Sequence, residues 1–194
     1  MTNRLRATSV WDVDPISLIL QRIHFKHTTK GLRSLSVLSE HRSEGKTTVA
    51  MLLARGLTEI YHFKILLIDL NPDGDALLNQ YLKDYEQEKT QDGILKCHQF
   101  DFSIFRLKNI DMNWLKTAYD GLYANQLINT FAAQYDLVIV DTMTSRCPND
   151  AQLRVSTHSN IIVSTEKSFG RSTNKLQIEM EQDKKEVLGI VFNK

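Results

Sequence analysis

Leu35-Ser36-Val37-Leu38-Ser39-Glu40-His41-Arg42-Ser43-Glu44-Gly45-Lys46-Thr47-Thr48-Val49-Ala50-Met51-Leu52-Leu53-Ala54 passes from an apolar run through a polar turn into a second apolar run. That order reads as a strand, a tight loop and a helix. Gly-Lys-Thr at the loop-to-helix junction is the end of a phosphate-binding loop: Gly45 lets backbone N–H groups approach phosphates, Lys46 supplies a point charge, and Thr47 offers a hydroxyl to Mg²⁺. The helix that starts there adds unpaired N–H groups and the positive end of its dipole. One departure stands out. The first glycine of G-x-x-x-x-G-K-[ST] is replaced by Glu40, so the loop points to a nucleotide while leaving turnover open.

Working outward, Asp14-Pro15 opens an N-terminal helix, with Asp at the N-cap and Pro in the first turn. Residues 34–39 form the first strand, 46–60 a helix, and 63–69 a second strand ending in Asp69. Such continuous apolar runs suit strands buried on both faces. The stretch 71–113 is the least regular: a turn at 71–75, a short helix at 76–83, a solvated excursion over 83–92, and one edge strand at 102–107. Apolar residues at three- and four-residue steps predict a long amphipathic helix over 114–134. A third strong strand, 135–141, ends in Asp141, and is followed by a short helix at 150–155, a strand at 160–165, a helix at 171–182 and a strand at 187–192. Strands alternating with helices predict an α/β fold in three layers, a mostly parallel sheet flanked by helices on both faces, with ligands at the carboxyl ends of the strands. Lys46, Asp69 and Asp141 all fall at that end. No linker or repeat interrupts the chain, which reads as one nucleotide-binding domain, 1–194, with a helical N-terminal extension over 1–30.

Composition narrows the function classes. A chain of 194 residues with 42% hydrophobic and 24% charged residues and net charge +1 has enough length for a substantial core and no global basic excess, so nucleic acid is not expected as a partner. No apolar run reaches the roughly 18 residues of a membrane span, and the first residues lack the apolar segment of a signal peptide, so a cytoplasmic location is expected. Cys97 and Cys147 lie far apart and outside any metal-binding spacing, which excludes a zinc framework.

Five blocks resemble one family. Glu44-Gly45-Lys46-Thr47-Thr48 is similar to the Walker A end, Leu66-Leu67-Ile68-Asp69 to the Walker A′ strand, and 135–142 to the Walker B strand of bacterial tyrosine kinases. These are the P-loop kinases of capsule and exopolysaccharide assembly, related to ParA/MinD ATPases. Asn149-Asp150-Ala151-Gln152 and Val187-Leu188-Gly189-Ile190-Val191-Phe192-Asn193 continue the likeness. The resemblance implies a P-loop NTPase fold binding ATP and Mg²⁺. Ser43, Glu44, Gly45, Lys46, Thr47 and Thr48 would hold the phosphates and Asn193 would touch the adenine. Thr47 and Asp141 would bind the metal, and Lys46 and Asp69 would carry the catalytic roles. It also implies a membrane chain-length or export protein as partner, whose cytoplasmic tail activates the kinase, with a peripheral location at the inner membrane through that partner. A homo-oligomer is left open.

The departures mark a divergent member. His41 stands where ParA/MinD ATPases carry a signature lysine, Arg42 and Ser43 replace the kinases' Pro-Gly, and Asn71 replaces the second carboxylate of Walker A′. Ser43 places a Cβ where glycine reaches the backbone conformation most easily. Asn71 cannot act as a base or bring charge to a metal. The N-terminal helix lacks the family's Glu and paired Arg residues, and the six tyrosines are scattered rather than clustered at the C-terminus. Weakened or lost catalysis is the expectation. The alternatives are a non-catalytic regulatory module and a ParA/MinD-like switch.

Overall fold

The computed structural model describes residues 15–70, 87–89, 94–97, 102–106, 121–142, 157–168 and 170–193. Among them are four helices, α1 (Pro15–Lys30), α2 (Lys46–Tyr61), α3 (Gly121–Ala132) and α4 (Arg171–Gln182). The strands are β1 (Ser34–Leu38), β2 (Ile65–Asp69), β3 (Gln87–Lys89), β4 (Ile94–Cys97), β5 (Phe102–Arg106), β6 (Leu137–Asp141), β7 (Ser159–Thr165) and β8 (Glu186–Asn193). They form one sheet in the order β3-β4-β5-β2-β6-β1-β7-β8. Pairing is parallel from β5 to β8 and antiparallel only between β3, β4 and β5. The expected α/β architecture with a mostly parallel sheet is present.

The strands β1, β2 and β6 are buried at every residue because the sheet is covered on both faces. Ile65, Leu67, Leu137 and Ile139 join the core beneath α1 and α2. Their alternates Leu66, Ile68, Val138 and Val140 pack with Ile128 and Phe131 of α3 on the other face. The period of two along each strand thus divides one apolar run between two cores. Helix α4 packs on β7 and β8. The N-terminal helix is not a loose extension: Leu20 lies so close to Gly56 that a Cβ there would stand 2.6 Å from Leu20 Cδ1. His24 also stacks on Tyr61 at 4.2 Å, and Arg22 Nη1 donates to Leu188 O at 2.9 Å. Among the described residues no helix is long and apolar enough to cross a membrane.

Two expectations need correction. The segment read as a solvated excursion contains β3, and the strand at 102–106 is not an edge, since β4 and β2 flank it. Edge strands are kept short and charged to avoid pairing with other chains. Gln87-Glu88-Lys89, at the edge, therefore carries little of the apolar signal that reveals buried strands, and Ile94-Leu95-Lys96-Cys97, although Ile94 and Leu95 are buried, is too short to show a pattern. The turn at 71–75, the helices at 76–83 and 150–155, Asn71 and Asn149-Asp150-Ala151-Gln152 lie outside the described residues, as do residues 114–120 of the long helix.

At the amino end of the sheet, β1 carries two buried serines. Ser34 Oγ accepts from the His158 backbone N–H at 3.0 Å and lies 2.7 Å from His158 Nδ1, while Ser36 Oγ lies 2.7 Å from Thr157 Oγ1. The Ser34 hydroxyl and His158 Nδ1 share one hydrogen bond, whose donor is set by the imidazole tautomer. Lys185 Nζ donates to Thr157 O at 3.3 Å, and Glu186 is tied to Lys26 and Ser159. Alternate positions of β1 are thereby polar yet satisfied.

Candidate nucleotide-binding site

The chain leaves β1 at the carboxyl end of the sheet and turns through 39–45 into α2. Between β6 on one side and β7 on the other, β1 sits where successive connections go to opposite sides, which is where open α/β sheets bind ligands. The loop needs left-handed backbone at two places. Gly45 has φ 93° and serves as the N-cap of α2, with no side chain capping its N–H groups. Ser43 has φ 62°. A non-glycine residue there costs about 1 kcal/mol or more, so Ser43 holds backbone strain in the loop.

Inside the loop, Lys46 Nζ donates to Ser39 Oγ at 2.9 Å, and Ser39 Oγ donates to His41 O at 2.8 Å. The lysine is folded along the rim with 9% exposure. Glu44 is buried. Its Oε2 accepts the His41 N–H at 2.8 Å, while its Oε1 has no hydrogen-bond partner among the described residues. Asn193, at the end of β8, donates from Nδ2 to Glu44 O at 3.1 Å. A Cβ on Gly45 would stand 2.2 Å from that Nδ2. The last strand is thus fastened onto the phosphate loop through the side chain expected at the adenine. Of the other loop residues, Thr48 is half-buried and Arg42 exposed. Lys175 of α4 reaches Glu40 Oε1 at 3.7 Å.

Behind the loop, Thr47 Oγ1 donates to Asp141 Oδ2 at 2.6 Å. Asp141 pairs in register with Asp69 across β6 and β2, and Asp69 with Arg106 across β2 and β5. Arg106 Nε donates to Asp69 Oδ2 at 3.2 Å, with side-chain exposures of 5% and 1%. At an effective dielectric near 20, two like charges one strand spacing apart, about 4.8 Å, repel by about 3.5 kcal/mol. Arg106 offsets that repulsion. It was missed by sequence reasoning because its significance is a matter of register. The only available signal was a charged residue closing the apolar strand Phe102-Ser103-Ile104-Phe105. Thr142 completes the edge, its Oγ1 donating to Val37 O at 2.8 Å.

No group of three or more His, Cys, Asp or Glu able to hold a metal occurs among the described residues. A hydroxyl and a carboxylate at hydrogen-bond distance still fit Mg²⁺, which takes one or two carboxylates and completes its shell with phosphate oxygens and water. Lys46, Thr47, Asp69 and Asp141, separate in sequence, are brought to one edge, with Ser43, Glu44, Gly45 and Asn193 beside them.

The model of the CobQ/CobB/MinD/ParA nucleotide binding domain matches residues 35–194. Among curated proteins no significant match was found. Among solved structures, the chimerical protein CapA2B2 is 20% identical over 95% of this chain and 87% of its own, with a TM-score of 0.74. The kinase domain of Escherichia coli tyrosine kinase ETK is 21% identical over 88% and 70%, TM-score 0.66. The septum site-determining protein MinD complexed with Mg-ADP from Pyrococcus horikoshii OT3 is 23% identical over 83% and 70%, TM-score 0.63. At these identities the likeness establishes the fold.

Proposed function

The chain belongs to the CobQ/CobB/MinD/ParA nucleotide-binding domain family, and from that premise we propose that it binds Mg-ATP at the loop 39–47 as a divergent relative of the tyrosine kinases of polysaccharide export. The observation that carries the reading is the 2.6 Å bond from Thr47 to Asp141, which couples the phosphate loop to the end of β6. Lys46 and the loop amides hold the β- and γ-phosphates, Thr47 and Asp141 hold Mg²⁺, and Asp69 positions the attacking group. The metal, when bound, neutralises phosphate charge. Asn193 shapes the loop from below Gly45. The partner is a membrane chain-length or export protein, met at the cytoplasmic face of the inner membrane.

A second reading, a non-catalytic regulatory module, is favoured by one observation. Asp69 accepts a hydrogen bond from Arg106 at 3.2 Å, so the carboxylate of the Walker A′ strand already has a cationic partner within the chain. Thermal melting with and without Mg-ATP tests nucleotide binding under either reading. At about 100 times the dissociation constant the ligand adds roughly 2.7 kcal/mol, or about 5–10 °C for a domain of this size. No shift at millimolar Mg-ATP rejects the site. Where a shift is seen, radiolabelled ATP with the purified protein and its membrane partner separates phosphotyrosine formation from hydrolysis and from binding alone.

A further inference from the structure

A cation lies in the buried row beneath the phosphate loop that no phosphate-loop motif requires. Arg106 ends β5 in register with Asp69, which is in register with Asp141, and residues paired across parallel strands project to the same side of the sheet. That side is the one covered by α2, since Leu67, Ile104 and Ile139, each two residues earlier, lie in the core that α2 shares. Thr47 meets Asp141 there. The row therefore reads plus, minus, minus, with the phosphate loop over its last member. Two adjacent carboxylates facing a polyphosphate both draw a divalent cation. An arginine on one of them changes the arrangement: its planar guanidinium stays charged and its geometry is directional.

We infer that Arg106 is a positioning residue that sets the divalent-cation requirement of the site: it holds Asp69 in an ion pair and leaves Asp141, with Thr47, as the acidic anchor of a nucleotide-bound cation. This rests on the nucleotide-binding reading above. Asp69 then serves the site as a fixed neighbour of Asp141 rather than as a second anchor, and the residue that decides this is Arg106, on a strand remote in sequence from every nucleotide motif.

ADP binding followed by calorimetry at increasing Mg²⁺, and in EDTA, tests the inference. In the neutral pair Asp69→Asn/Arg106→Gln, Asp141 and Thr47 are intact, and the Mg²⁺ concentration for half-maximal ADP binding stays within twofold of wild type. In Arg106→Gln alone, Asp69 is released to the cation and that concentration falls at least threefold, while binding in EDTA weakens. A threefold or greater rise in the double variant makes Asp69 itself an anchor and overturns the inference, as does an unchanged midpoint in folded Arg106→Gln. Should circular dichroism show that Arg106→Gln does not fold, the double variant decides alone. Wild-type protein that binds no ADP with or without Mg²⁺ rejects the nucleotide reading and the inference with it, whereas wild-type binding with a raised midpoint in the double variant overturns the inference only.

Discussion

The two ends of the same sheet bury polar groups in opposite ways. At the amino end, Ser34, Ser36, Thr157 and the backbone of His158 meet as neutral donors and acceptors at 2.7–3.0 Å. At the carboxyl end, Asp69, Asp141, Arg106 and Lys46 bring full charges into burial beneath a loop with two left-handed residues. A hydroxyl pair contributes about 1 kcal/mol and asks for no ligand. A buried charge row carries a desolvation penalty that its internal pairing barely offsets, and backbone strain adds to it. The costly end is where nucleotide binding is proposed, and the inexpensive end is scaffolding.

Breaking the charge row has the largest expected effect. Arg106→Met leaves Asp69 buried without its ion-pair partner and is expected to lower unfolding free energy by about 3–5 kcal/mol, whereas Asp69→Leu/Arg106→Met together fall near wild type. Urea denaturation distinguishes the two. Equal losses in both would mean that packing, not charge, holds β5 to β2. Next comes Lys46→Met, which removes the proposed phosphate contact together with a hydrogen bond to Ser39. ADP affinity is expected to fall about 100-fold, near 2.7 kcal/mol, with stability changed by about 1 kcal/mol or less. Unaltered affinity would remove the loop from the site.

The strain in the loop is open to a gentler change. Ser43→Gly puts glycine where φ is 62°, and is expected to stabilise the folded protein by a net of about 0.5–1 kcal/mol, after the greater freedom glycine gives the unfolded chain. Nucleotide binding should tighten a few-fold. A destabilised variant would show that Ser43 contributes more through its side chain than it costs through its backbone.

Legibility in the sequence followed burial. Val37, Leu67, Ile68, Val138 and Val140 lie in strands covered on both faces, so their apolar runs marked β1, β2 and β6 directly. Lys46, Asp69 and Asp141 were legible because each ends or follows such a run. β3 and β4 were not: the edge strand Gln87-Glu88-Lys89 is stabilised by pairing with its neighbour rather than by an apolar pattern, and β4, an inner strand of four residues, is too short to show one. Arg106 was illegible for another reason: its partner Asp69 is 37 residues away, and which residues face each other across parallel strands is set by the sheet, not by local spacing. Asn193 shows the same limit. Its motif identified the strand, but only the fold places its amide against Gly45.

The amino end supplies the smallest effect and the sharpest contrast, because it titrates. Burial, and secondarily the charge of Lys185, hold His158 below its ordinary value of 6.5. The unfolded chain therefore takes up the proton first, and stability must fall as pH drops from above 6.5 toward the depressed folded value, levelling below it. His158→Gln removes that slope, and urea denaturation at several pH values between 5 and 8 reads it. His158 is exposed, so salt screens the Lys185 contribution but not the desolvation of the ring, and the slope should shrink in salt without vanishing. Glu186 acts in a separate window. Its hydrogen bond from Lys26 leads the causes that hold its carboxyl below 4.5, so its contribution is present above 4.5 and is lost only as pH falls through that lower folded value. Lys26→Met should flatten the acid limb below pH 4.5 and leave the limb near 6 intact. A change near pH 6 in that variant would mean that the Lys26–Glu186 pair and the Ser34–His158 pair titrate as one network rather than as two.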